Sequence, residues 1–319
     1  LIRFFSSVLA ALVIWGGPVL GQDLRPIEDS IPAEVEQIYQ KGLKFLVNTQ
    51  TAKGNWAGSY GAQPGVVGLA VVAILAHGDD PNSGPYAATV KRALDFILNG
   101  ADKKTGYLGA STYNHAFATL ALAEAYGVVQ DERIGPTLQK AVDFILTSQK
   151  QNPLGAWRYA PESKDADITV SGAMMVALLA ARNAGIGIPE EAIQKGVKFV
   201  KSCQAKNGGF GYINNQDPTT TRAGIGVLVL ALAKEKKSEA FANGGKFLSD
   251  EGSRSRAMAS AYAYYHEYYV AQALFHYDES VWMKWNVNNI KRMAAQQGAD
   301  GSWKGMDPAL STSMALLSL

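Results

Sequence analysis

The segment Lys41 to Trp56 (KGLKFLVNTQTAKGNW) returns along the chain, and that self-similarity constrains the fold more than any single residue. Lys140 to Trp157 (KAVDFILTSQKQNPLGAW) and Lys195 to Phe210 (KGVKFVKSCQAKNGGF) repeat it. Arg92 to Tyr107 keeps the Phe, the Gly and an aromatic but loses the Gln, and Gln297 to Trp303 (QGADGSW) keeps the Gln-Gly-Trp half. The repeated Phe stands at positions 45, 96, 144, 199 and 247, with Arg292 in that slot in a sixth unit. Each unit reads as a helix end, a tight turn and the lead into a second helix.

The two helices of a unit differ in pattern. The first is amphipathic: about Pro32 to Asn48, then Tyr86–Leu98, Pro136–Ser148, Pro189–Ser202, Glu239–Ser249 and Val281–Gln296. The second is apolar nearly all round, as in Val66 to Ala76 (VVGLAVVAILA), then Ala116–Tyr126, Thr169–Ala181, Thr221–Ala233, Ser260–Phe275 and Leu310–Leu319. A helix that is apolar on every face is buried on every face. Six such hairpins stack as an open array or close into a ring. An open array needs polar end caps, and Leu310–Leu319 is not polar. The expectation is therefore an all-α fold, an α/α toroid with six inner and six outer helices over residues 33–319.

The unit carries a named signature. Lys41, Gly42, Phe45, Leu46, Gln50, Gly54 and Trp56 meet every position of the QW motif of squalene–hopene cyclases, and so do Lys140, Ala141, Phe144, Ile145, Gln149, Gly155 and Trp157. The chain thus resembles the prenyltransferase/squalene-oxidase repeat superfamily over essentially all of 33–319. The motif itself is structural: the Gln ties the turn, the Gly allows the bend, and the Trp covers the preceding helix end.

The resemblance also directs attention to Asp165-Ala166-Asp167-Ile168-Thr169, which is similar to the Asp-x-Asp-Asp-Thr of class II terpenoid cyclases. It implies Asp167 as the proton donor to an isoprenoid double bond, with Asp165 as the preceding acid, although Ile168 stands where that family has its third Asp. A competing reading makes these residues helix N-caps, where Asp is preferred. A second candidate is the aromatic run Tyr262, Tyr264, Tyr265, His266, Tyr268 and Tyr269, whose ring faces suit a carbocation or the packing of the two helix layers. Trp157, Tyr159 and His115 complete the expected substrate-binding set. Arg254 and Arg256, in a fifth turn that has lost its Gly-Trp, are candidates for an anionic headgroup or for a solvated loop.

Several classes are excluded. The formal charge of +2 over 319 residues gives no basic face for nucleic acid. No phosphate loop, dinucleotide fingerprint or hydrolase elbow is present. The Tyr265-His266 pair is similar to that of protein prenyltransferase β subunits, but the single Cys203 is not in an Asp-x-Cys context. No metal and no cofactor are expected. The expected partner is a hydrophobic small molecule such as a polyisoprenoid; the alternative is a non-catalytic toroid that holds a hydrophobic ligand, a glycan or a protein. A carboxylate pair for glycan cleavage is a further option, for which Asp165 and Asp167, two apart, offer diverging side chains.

The first residues read as a secretory leader. Arg3 precedes an apolar run from Phe4 to Trp15, and small residues end at Gly21. Residues 1–21 are expected to be removed, 22–32 to act as a linker, and the rest to be extracytoplasmic with no membrane span. The chain starts without Met and stops inside an apolar run, which leads us to expect a fragment.

Overall fold

The computed structural model describes residues 31–251 and 262–319. The segment read as a leader and most of the linker lie outside the described residues, as do Arg254 and Arg256.

The hairpins form two concentric layers. The outer helices are α1 (Ala33–Thr49), α3 (Ala87–Gly100), α5 (Ile134–Gln151), α7 (Glu190–Ser202), α9 (Glu239–Glu251) and α11 (Glu279–Gln296). The inner helices are α2 (Pro64–His77), α4 (Thr112–Ala125), α6 (Ile168–Asn183), α8 (Thr220–Leu232), α10 (Ala263–Tyr277) and α12 (Pro308–Leu316). Each inner helix packs between two inner neighbours, and α12 packs against both α10 and α2, so the ring closes. No strand is present among the described residues.

Sequence pattern and layer agree for a physical reason. In α2, every residue from Gly65 to Ile74 is buried, which only an all-apolar helix tolerates. In α1, one stripe is buried (Val35, Ile38, Tyr39, Leu43, Leu46) and the opposite face meets water.

The motif residues hold the units together. The Gln50 amide donates to Gly54 O in its own turn and to Thr89 O of α3. Gln149 bridges Gly155 O and Ala192 O, and Gln204 bridges Gly208 O and Ala240 O. Each amide therefore ties one turn to the next outer helix. The indoles of Trp56, Trp157 and Trp303 donate to Leu46 O, Ile145 O and Met293 O, satisfying carbonyls at helix ends. Gly54 has φ +88, and a Cβ there would stand 2.0 Å from Arg92 O, so the turn seats directly on the neighbouring helix backbone.

Some boundaries differ from the sequence expectation. The helix expected from Leu310 starts at Pro308, because Asp307 caps it and Pro fits its first turn. The helix expected from Val281 starts at Glu279, behind the Asp278 cap. No helix among the described residues is long and apolar enough to cross a membrane.

Candidate functional site

All six inner helices run the same way, and their first turns surround one cavity of about 810 Å³ on the toroid axis. Its floor is apolar: Val66 and Leu69 from α2, Phe117 from α4, and Leu310 and Met314 from α12. Its upper wall carries seven tyrosines. Tyr60, Tyr159 and Tyr212 come from the turns, Tyr113 from α4, and Tyr262, Tyr264 and Tyr265 from the start of α10. Tyr159 and Tyr262 are 49% and 60% exposed, so the mouth opens among them. The hydroxyls of Tyr159 and Tyr212 are 2.9 Å apart, and those of Tyr113 and Tyr265 also meet. Burial raises the pKa of Tyr113, Tyr212 and Tyr265, so these groups act as neutral donors and acceptors.

Polar groups between the rings come from Gln63, Ser111, Asn114, Thr169, Thr221 and Ser311. Asn114 is held by Gln63 and by Ser111, and its carbonyl accepts from Gly65 N at 3.1 Å. Arg222 is the one charged side chain among the lining residues; no Asp or Glu is among them.

Asp167 stands just behind this wall as the N-cap of α6. Its Oδ1 accepts from Thr169 N, Val170 N and the Thr169 hydroxyl at 2.8, 2.9 and 2.6 Å. Its Oδ2 is buried without a hydrogen bond, 3.7 Å from Arg158 Nη1, which is itself unpartnered by any hydrogen bond. Asp307, at the matching position before α12, caps in the same way through Oδ1. Its Oδ2, in contrast, accepts from Tyr60 N and Gly61 N. Burial raises the Asp167 pKa above the usual carboxylate value, against the lowering effect of Thr169, Val170 and Arg158. Asp165 points away: its side chain is 68% exposed, with Arg158 Nε at 3.5 Å.

The residues expected from the sequence to form one site therefore divide under the geometry. Tyr159, Tyr262 and Tyr265 line the cavity. Trp157 does not; it is 2% exposed and lies under the end of α5, because its indole satisfies Ile145 O and Ser148 Oγ. His115 is fully buried away from the rim: Nδ1 accepts from Leu108 N and Nε2 donates to Ala141 O. It ties the second turn to α5, in the unit where Ala101 occupies the Gln slot. His266 faces Thr221 Oγ1 at 2.9 Å behind the wall, and Tyr269 is packed beneath Tyr265. Asp165 and Asp167 do not form a facing pair. Tyr60, Tyr113, Tyr212 and Arg222 were missed, and their shared signal is position: each sits in a turn or first helical turn on the same side of the ring. No group of acidic, His or Cys side chains suited to a metal exists among the described residues.

A match to a family described as a domain of unknown function, DUF6288, spans residues 35–300, most of the chain. The chain belongs to the DUF6288 family. Among solved structures, it is similar to an inactive variant of an alpha-1,6-mannanase from Salegentibacter in complex with alpha-1,6-mannotriose. That match has 10% identity and a TM-score of 0.67, covering 89% of this chain and 98% of the other. A family 76 mannosidase from Bacteroides thetaiotaomicron matches with 8% identity and a TM-score of 0.66, covering 90% and 97%. The type II terpene cyclase MstE from Scytonema, in complex with geranylgeranyl dihydroxybenzoate, matches with 14% identity and a TM-score of 0.56, covering 89% and 96%. At these identities the likeness establishes the fold, and DUF6288 shares the α/α toroid with both kinds of enzyme.

Proposed function

We propose that this DUF6288 toroid binds one organic molecule with an apolar body in its axial cavity, without turnover. The observation that carries this is the lining: an apolar floor, a tyrosine upper wall and no carboxylate. The volume of about 810 Å³ lies within the range of small-molecule sites, and apolar walls with a few placed polar groups are their usual composition. The two-carboxylate chemistry of glycoside cleavage has no residues in this lining. On the leader-like segment, we place the protein outside the cytoplasm.

Equilibrium dialysis against a labelled polyisoprenoid alcohol and against mannotriose tests the reading. Binding of the alcohol, weakened about three- to tenfold by Tyr159→Ala or Tyr262→Ala, supports it. Both rings are exposed, so their loss leaves the fold intact. Binding that neither substitution changes would place the ligand elsewhere.

One observation favours a second reading, a terpenoid-cyclase-like enzyme with Asp167 as the acid. Asp167 Oδ2 is buried, lacks the backbone amides that satisfy Asp307, and belongs to a carboxyl that burial biases toward its protonated form. A cyclised product from squalene with the native chain, and none with Asp167→Asn, would establish it. Product from neither, with ligand bound, leaves the binding reading standing.

A further inference from the structure

The lining also bears on the ligand's charge, given the binding reading above. Arg133, Arg158, Arg182 and Arg292 each face a carboxylate within ion-pair distance. Among the described residues Arg92 and Arg222 have none, and of the two only Arg222, in the first turn of α8, lines the cavity. Its Nη1 donates to Asp217 O at 2.7 Å, and the guanidinium lies over the Tyr212 ring at 5.6 Å. On this aromatic wall, without a carboxylate partner, the guanidinium keeps N–H groups that an anion entering the cavity can accept from.

The backbone acts in the same direction. The first turns of all six inner helices reach the lining, through Val66, Asn114, Thr169, Arg222, Tyr264 and Leu310. Helix N-termini carry partial positive charge, and here six converge on one space. Neither Asp167 nor Asp307, the N-caps of α6 and α12, is among the lining residues: Asp307 is satisfied by backbone amides through both oxygens, and Asp167 caps through Oδ1 while its Oδ2 faces Arg158. Tyrosine faces also suit a cation, but Arg222 and the six N-termini oppose one.

We infer that the ligand is an amphiphile with a single anionic group, a carboxylate or a phosphate monoester. The anion sits at Arg222, and the apolar body lies against Leu69, Phe117 and Met314. Recognition is by charge-assisted hydrogen bonds from the guanidinium groups that Asp217 O leaves unused.

The test is calorimetric titration of the full chain, at low salt and below micellar concentrations, with four probes of equal chain length: decanoate, decyl phosphate, decanol and decyltrimethylammonium. The expected order places at least one anion on the order of tenfold or more tighter than decanol, with the ammonium weakest. The tighter of the two anions identifies the head group. Arg222→Gln should bring that anion to the level of decanol and leave decanol unchanged, while Arg222→Lys retains part of the preference. Equal binding of decanol and both anions would overturn the charge inference and leave the cavity reading intact. So would tightest binding by the ammonium. Failure of every probe to bind would count against the cavity reading as well.

Discussion

Gln297 donates from its side-chain amide to Ile38 O at 2.9 Å, joining residues 259 apart in the chain. The same amide reaches Gly301 O in its own turn. The tie that links successive units elsewhere thus links the last unit to the first. Gly301 adds contact: at φ +87, a Cβ there would stand 2.2 Å from Lys41 O. Gln297→Ala is expected to cost about 1–2 kcal/mol, from two lost hydrogen bonds. Gly301→Ala should cost more, because it strains the backbone and pushes α1 away. Urea unfolding of both variants measures this. Unchanged midpoints would mean that the closure carries no stability.

Arg158 faces Asp167 across 3.7 Å and lowers a carboxyl pKa that burial raises. Removing the guanidinium in Arg158→Gln should therefore move the Asp167 pKa further up. Carbon-13 titration of the Asp167 carboxyl reads this directly. In the native chain, the raised folded pKa favours the folded state most at pH below the ordinary carboxylate value. That contribution is lost as pH rises through the folded pKa.

His115 holds the second turn to α5 as a neutral ring, with Nδ1 accepting and Nε2 donating. Burial lowers its pKa to about 4. The unfolded chain takes up the proton first, so stability should fall as pH drops from about 6.5 toward 4. His115→Gln should flatten the slope of stability against pH by up to about 1.4 kcal/mol per unit in that window. Urea midpoints at several pH values test this; an unchanged slope would contradict it.

Glu124, on α4, has no ion-pair partner among the described residues, and burial raises its pKa to about 7. Its folded pKa lies above the unfolded one, so stability is greatest at pH below about 4.5 and declines as pH rises through about 7. Glu124→Gln should stabilise the protein by about 3 kcal/mol at pH 8.5 and have little effect at pH 4. Thermal unfolding at the two pH values compares them.

The double ring was legible in the sequence because the repeat is built from local physics. Gln50 joins its own turn to the next outer helix, Gly54 seats the turn against that helix, and Trp56 closes the end of the preceding helix, so one short spacing recurs from unit to unit. Closure was legible in the apolar last helix, which needs α2 as a partner. The cavity was less legible. Tyr113 comes from the second unit and Tyr212 and Arg222 from the fourth, and they line one space only because the ring brings their turns to one side. Trp157 and His115 were misplaced because an aromatic or imidazole beside a turn looks alike whether it faces a lumen or plugs a helix end. The backbone carbonyls that claim them, Ile145 O and Ala141 O, are fixed by tertiary packing.

The most direct test of the central claim is a crystal of the full chain soaked with 10-bromodecanoate and measured at the bromine absorption edge. The account predicts one anomalous peak inside the ring, near Leu69 and Met314, with the carboxylate density at Arg222. A bromine bound only on the outer surface, with the ring interior filled by water, would contradict it.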